Sequence, residues 1–325
     1  MSVNEGLIRA QLSHTLYEVD FALEGYSLYR GKVRDVFRGS DRWVIVTTDR
    51  VSAFDVVLGT IPFKGEILNR MALHSFDATR DIAPNHVLAT PDPSAVIVRP
   101  CRPFPVEFVM RGYITGSLWR DYEAGRHGAY EVPIPKRLRR DERLPEALLT
   151  PSTKAAIGTH DEPTSRREVL ASGDMTEAQW DEAESLARAL FQRGQEQAED
   201  RGLILVDTKY EMGIDDEGRI TLIDEVHTPD SSRYWIEEDY QALFEAGQAQ
   251  RMLDKENLRA WLMQTHGFRG EGPPPVLDEE IRVRLASRYL ELFQRMSTRA
   301  FRGEVGSVKD RLRSNLADSG LKLIV

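Results

Sequence analysis

The stretch Leu203-Ile204-Leu205-Val206-Asp207-Thr208-Lys209-Tyr210-Glu211-Met212 opens on four apolar residues and then alternates charge with bulk. A turn-forming run, Asp215-Asp216-Glu217-Gly218, separates it from Arg219 to Val226, and the two segments read as a hairpin. Period-two geometry puts Asp207, Lys209 and Glu211 on one face, with Thr208, Tyr210 and Met212 on the other. The partner strand ends in Asp224-Glu225. Two carboxylates from adjacent strands suit Mg2+, which takes few protein oxygens and leaves the rest to water and phosphate. The same residues equally suit a cross-strand salt-bridge ladder. The turn register is open by one residue, so either Asp224 or Glu225 could face Glu211.

Outward from the hairpin, Thr176 and Gln179 are spaced as a capping box ahead of a helix. Trp180, Ala183, Leu186, Ala187, Leu190 and Phe191 give that helix one apolar stripe. Residues 174–200 carry eight acids against Arg188 and Arg193, the pattern of a solvated face. Ahead of it, residues 131–166 are rich in Pro, Arg, Thr and Ser without periodicity and read as a long loop. Trp43 to Thr48, Ala95 to Val98 and Val106 to Met110 read as strands. Between the last two, Arg99 to Pro105 holds three prolines and reads as an extended connector, where a domain boundary is placed. After Pro273-Pro274-Pro275, Ile281, Leu285, Tyr289, Leu292, Phe293 and Met296 mark a further helix. Early strands followed by mixed strands and helices predict an α+β protein of two lobes.

Composition narrows the class. The chain has 325 residues, 41% of them hydrophobic and 29% charged, which is ordinary for a globular protein. The net charge of −9 argues against a general nucleic-acid binder. Cys101 is the one cysteine, so a disulfide framework is excluded and a reducing compartment expected. Set among prolines with no activating partner, it reads as a structural thiol. No basic start with a long apolar core marks a secretory signal, and no apolar run approaches a membrane span. Phosphate-loop, dinucleotide-turn, His-Glu-x-x-His and Gly-x-Ser-x-Gly patterns are absent from the sequence.

Four more segments carry groups for anions. Tyr29-Arg30-Gly31-Lys32-Val33-Arg34-Asp35-Val36 sets a glycine among cations; strand alternation would put Lys32 and Arg34 on one face, for a polyphosphate or as a solvated edge. Thr48-Asp49-Arg50-Val51-Ser52-Ala53-Phe54-Asp55 reads as a ligand-facing loop or a capped turn. Arg111-Gly112-Tyr113-Ile114-Thr115-Gly116-Ser117 joins an arginine fork to hydroxyls at a helix start, an anion site or a glycine turn pairing a surface acid. Pro229-Asp230-Ser231-Ser232-Arg233-Tyr234-Trp235 adds hydroxyls and an arginine beside the hairpin acids. Together the segments point to a nucleotide-plus-Mg2+ site with a second anionic substrate.

These segments, with Thr150-Pro151-Ser152-Thr153-Lys154, run in order through residues 29–235, and on them the chain resembles the phosphoribosylaminoimidazole-succinocarboxamide synthase (SAICAR synthetase) family. The resemblance implies a two-lobed α+β fold, akin to the ATP-grasp and kinase-like arrangement. In it a small antiparallel β lobe (1–105) and a larger α+β lobe with C-terminal helices (106–325) clasp ATP. It implies a carbon–nitrogen ligase of purine biosynthesis that joins L-aspartate to the carboxylate of carboxyaminoimidazole ribonucleotide (CAIR) through an acyl phosphate, releasing ADP and phosphate. By motif, Gly31, Lys32 and Arg34 approach the ATP phosphates, and Val106 and Glu107 touch adenine. Glu211, also on the ATP side, and Asp224 hold Mg2+. Arg111, Ser117, Lys209, Ser232 and Arg233 bind the ribonucleotide, and Asp55, Lys154 and Asp161, after His160, lie near the reacting groups. Lys209, Asp224 and Arg233 are the expected catalytic residues. The resemblance implies a cytoplasmic enzyme of small-molecule substrates, with no nucleic-acid or membrane partner; a homo-oligomer is neither required nor excluded. A different ATP-dependent ligase or small-molecule kinase would keep the hairpin acids without needing aspartate. A non-catalytic nucleotide-binding module would tolerate losing the metal ligands.

Overall fold

Leu203–Ile214 forms one strand, slightly longer than its sequence pattern marks, and it is the spine of a seven-stranded sheet. The computed structural model describes residues 3–154, 162–253 and 256–324. On one side of the spine runs Val106–Tyr113, antiparallel, with Val109 opposite Lys209 and Arg111 opposite Asp207. On the other side, Ser232–Ile236 pairs with its first half and Ile220–Ile223 with its second. The turn closes as the sequence suggests: Asp215 accepts from the backbone N–H groups of Glu217 and Arg219, and Gly218 adopts a φ of 79°.

Phe108 and Tyr210, cross-strand partners, face the helix Glu177–Glu199, where Phe108 meets Trp180 at 5.3 Å between ring centroids. That helix begins with the expected capping box, and it buries Trp180, Ala183, Ala187, Leu190 and Phe191 against the sheet while its acids stay outside. With Tyr210 turned to the helix, alternation sends Asp207, Lys209 and Glu211 to the opposite face.

Two segments differ from their sequence reading. Within 131–166, Arg143–Leu149 is a strand at the sheet edge and Ser152–Thr153 a second short one, both paired with Val106–Tyr113. Pro145 disguises the first, and an edge strand is where a proline is tolerated. The proline connector also contributes Arg102–Pro103, an edge pair to Gly213 and Ile214.

A five-stranded antiparallel sheet runs in the order Ser27–Arg30, Arg34–Arg38, Trp43–Thr47, Ala95–Val98, Val87–Asp92. Phe37, Val44, Val46, Ala95 and Ile97 form its core with Val308, Leu312 and Leu316 of the helix Val308–Asp318. Gly31, Lys32 and Val33 are not on a strand: they turn the chain between the first two strands, with Gly31 N–H donating to Arg34 O at 2.8 Å. The expected shared strand face of Lys32 and Arg34 is therefore replaced by a hairpin tip.

The chain divides into two compact units of similar length, one of residues 1–74, 86–100 and 254–325, the other of 75–85 and 101–253. The sequence reading cut the chain once, between 105 and 106, and grouped the C-terminal helices with the second part. They belong to the first unit, where half-buried Arg311 ion-pairs buried Glu66 and Asp92, and Arg282 donates to the carbonyls of Leu12 and Thr60. Leu323–Ile324 also pairs with Ala22–Leu23.

Candidate functional site

The charged face of the second unit is built on the spine strand. Arg111, Asp207 and Arg233 form a rank across three adjacent strands, each opposite the next. The Asp207 carboxylate accepts from Arg233 Nη1 at 2.5 Å and Arg111 Nη1 at 3.4 Å. Arg111 also donates from Nε to Thr150 Oγ1 at 2.6 Å and from Nη2 to Ser117 Oγ at 3.0 Å. Two guanidinium forks fixed on one buried acid leave a cationic surface suited to phosphate or carboxylate. Gly116, at φ 57°, opens the helix Gly116–Glu123, and a Cβ there would lie 2.6 Å from Arg233 Nη2. Only glycine leaves that guanidinium its place.

Further along the same face, Lys209 Nζ donates to Glu107 Oε1 at 2.6 Å and Glu211 Oε1 at 2.9 Å. Lys154 Nζ donates to the other oxygen of Glu211. Burial works against the Lys209 charge, but the carboxylates of Glu211, Glu107 and Asp224 outweigh it and hold its pKa well above the ordinary lysine value. Burial likewise opposes the Glu211 charge, yet Lys209 and Lys154 bring its pKa down to about 2. Neither acid is the direct partner of Glu211: Ile223 stands opposite it, and Asp224 follows just past the strand end with φ 68°, its charge acting on Lys209. Glu225 instead accepts from Thr228 Oγ1 at 2.6 Å. Buried His227 anchors this turn through Tyr210 Oη at 2.7 Å, while Tyr234 Oη donates to its carbonyl. Burial pushes the His227 imidazole down to about 3, so it is neutral at pH 7.

Glu211 and Asp224 are hard oxygen donors, the ligand type that Mg2+ takes with its other ligands from water and phosphate. Among the described residues no group of three or more His, Cys, Asp or Glu is placed to hold a metal.

In the first unit, the hairpin tip Gly31–Val33 meets the turn Phe54-Asp55, whose residues both have positive φ, through an ion pair of Lys32 with Asp55 at 2.5 Å. Arg34 opens the strand Arg34–Arg38.

The structure thus brings Arg111, Ser117 and Arg233 together, and joins Glu107, Lys154, Lys209, Glu211 and Asp224 in one electrostatic set. Val106, buried, precedes Glu107 on its strand. Ser232 falls elsewhere: its hydroxyl lies 2.8 Å from Thr208 Oγ1 on the helix-facing side of the sheet, where its strand position sends it. Asp161 lies outside the described residues. Sequence reasoning named Asp207 on the charged face but passed over it as a site residue, and it passed over Thr150 too. The signal for Asp207 was its place in the alternation; for Thr150 it was its place ahead of Lys154.

An arginine-lined anion surface beside a carboxylate–ammonium set, on one face of one sheet of an α+β fold, is suited to phosphorylated or carboxylated small molecules. The SAICAR synthetase pattern matches residues 27–274. The chain is 45% identical over 294 residues to the phosphoribosylaminoimidazole-succinocarboxamide synthase of Legionella pneumophila, covering 89% of this chain and 94% of that protein. It is 46% identical over 307 residues to the enzyme of the same name from Bacteroides fragilis, covering 93% and 97%. Among solved structures, the SAICAR synthase from Saccharomyces cerevisiae complexed with SAICAR is similar with a TM-score of 0.76 at 29% identity, over 89% of this chain and all of that one. The chain belongs to the SAICAR synthetase family, the ligases that join aspartate to CAIR in purine biosynthesis. No described helix is long and apolar enough to cross a membrane.

Proposed function

We propose that this chain joins L-aspartate to the CAIR carboxylate in a reaction driven by ATP and passing through an acyl phosphate. A carboxylate is a poor electrophile. Its oxygen attacks the γ-phosphorus of ATP and ADP leaves; the aspartate amine then attacks the acyl carbon, loses a proton and expels phosphate. Positioning and charge neutralisation suffice for such transfers, so no protein nucleophile is required.

Arg111 and Arg233, held on Asp207, take the anionic groups of CAIR with Ser117. Lys209, fixed between Glu107 and Glu211, presents a permanent positive charge to the phosphoryl group in flight. Glu211 and Asp224 hold Mg2+, which when bound screens the charge of the polyphosphate. Gly31, Lys32 and Arg34 meet the ATP phosphates, and Val106 with Glu107 the adenine. Asp55, Lys154 and Asp161 serve the reacting groups. The single cysteine, buried Cys101, and the anionic substrates suit the cytoplasm.

One observation carries this reading: the Arg111–Asp207–Arg233 rank and the Lys209–Glu211 set share one face of one sheet. The test is ADP release by the purified protein. Release requires CAIR, L-aspartate and Mg-ATP together; equal turnover without aspartate would overturn the proposal.

A further inference from the structure

The hairpin tip Gly31–Val33 is held from behind. Arg50, 4% exposed, donates through Nε to Lys32 O at 3.0 Å and through Nη2 to Gly31 O at 3.0 Å. Its Nη1 reaches Tyr17 O, and Nη2 also ion-pairs Asp35 Oδ1 at 2.7 Å. Asp35 is fully buried and fixed in turn by Val19 N–H at 2.9 Å. The third carbonyl of the tip, Val33 O, accepts from both Thr48 N–H at 3.0 Å and Thr48 Oγ1 at 2.8 Å.

Three successive carbonyls are therefore turned inward onto Arg50 and Thr48. In a trans peptide the carbonyl and the following N–H point in opposite directions. Drawing Gly31 O and Lys32 O inward consequently turns the N–H groups of Lys32 and Val33 outward. Successive outward N–H groups form an anion-binding concavity, here carrying the Lys32 ammonium at its tip. A buried ion pair of this kind is weak support for stability, since apolar replacements of similar volume are often as stable. Orienting a backbone turn is a use that apolar side chains cannot imitate.

We infer that Arg50, with Thr48, is a positioning residue for the nucleotide phosphates: it sets the direction of the tip amides without touching the substrate. This rests on the proposed ATP-binding role of Gly31 and Lys32.

Arg50→Lys keeps a charge for Asp35 but loses the fork that holds two tip carbonyls. Its KM for ATP and its calorimetric Kd for ADP should rise at least ten-fold, with the KM for aspartate and for CAIR within two-fold of wild type. Thr48→Val is isosteric and removes the hydroxyl's bond to Val33 O together with its acceptance from Arg50 N–H at 3.4 Å; it should raise the ADP Kd about three-fold, and it decides the matter alone if Arg50→Lys fails to fold. In the wild type, ADP should slow hydrogen exchange at the Lys32 and Val33 amides. Unchanged ADP affinity in the folded variants, or a parallel rise of all three KM values, would overturn the inference. A wild type that binds ADP yet turns nothing over would instead count against the proposed reaction and leave the positioning measurable.

Discussion

Lys209 sits where three acids converge, and its surroundings define what it can contribute. Burial disfavours its charge, while Glu211, Glu107 and Asp224 restore it and hold the ammonium well above its ordinary pKa. Glu211, at about 2, is ionised from mildly acidic pH upward. A general acid or base works best with a pKa near the operating pH, so neither group is poised to shuttle protons near neutrality. Both act as fixed charges. Accordingly Lys209→Met and Asp224→Asn should each lower kcat/KM by about 10²–10³, or ~2.7–4 kcal/mol, the usual scale for removing one placed electrostatic group. Steady-state kinetics beside circular dichroism on the folded variants checks this; less than ten-fold loss in both contradicts the assignment. The alternation along 203–212 made Lys209 and Glu211 legible from sequence. Glu107 and Arg111 as partners were not, because cross-strand contacts between distant segments follow register, which no local pattern encodes.

Short elements aim these groups. The turn at Gly116 lets Arg233 occupy space that any side chain would take. Gly116→Ala imposes an L-residue at φ 57° and pushes the guanidinium aside. It should cost about 1–2 kcal/mol of stability from the left-handed backbone. The larger effect should fall on CAIR: its KM rises at least ten-fold while that for ATP changes little, by initial-rate kinetics with each substrate varied. Equal KM values for CAIR in variant and wild type would remove Arg233 from the substrate. Elements with a local signature were readable: Thr176 and Gln179 announced their helix, and Asp215 to Gly218 their turn. Elements whose signature conflicts with their context were not. Pro145 hides the strand Arg143–Leu149, and cations around Gly31 imitate a strand face although the chain reverses there.

Across the whole chain, the backbone passes between the two units at 74/75, 85/86, 100/101 and 253/254, so neither is a continuous stretch of sequence. Residues 254–325 complete the first unit because Leu312 and Leu316 fill the core beneath Phe37 and Val44, and Arg311 satisfies buried Asp92. An amphipathic helix advertises an apolar stripe but not the sheet that will cover it, which is why a single cut looked adequate from sequence. The net charge of −9 likewise belongs to exposed faces such as that of Glu177–Glu199, whereas the site balances Arg111, Arg233, Lys154 and Lys209 against placed acids. The account's central claim is that these charges steer a carboxylate onto phosphorus before the amine arrives. The most direct test supplies CAIR labelled with 18O in its carboxylate, together with ATP and L-aspartate, and reads the released phosphate by mass spectrometry. One 18O in each phosphate is the predicted result; phosphate without label would contradict the account.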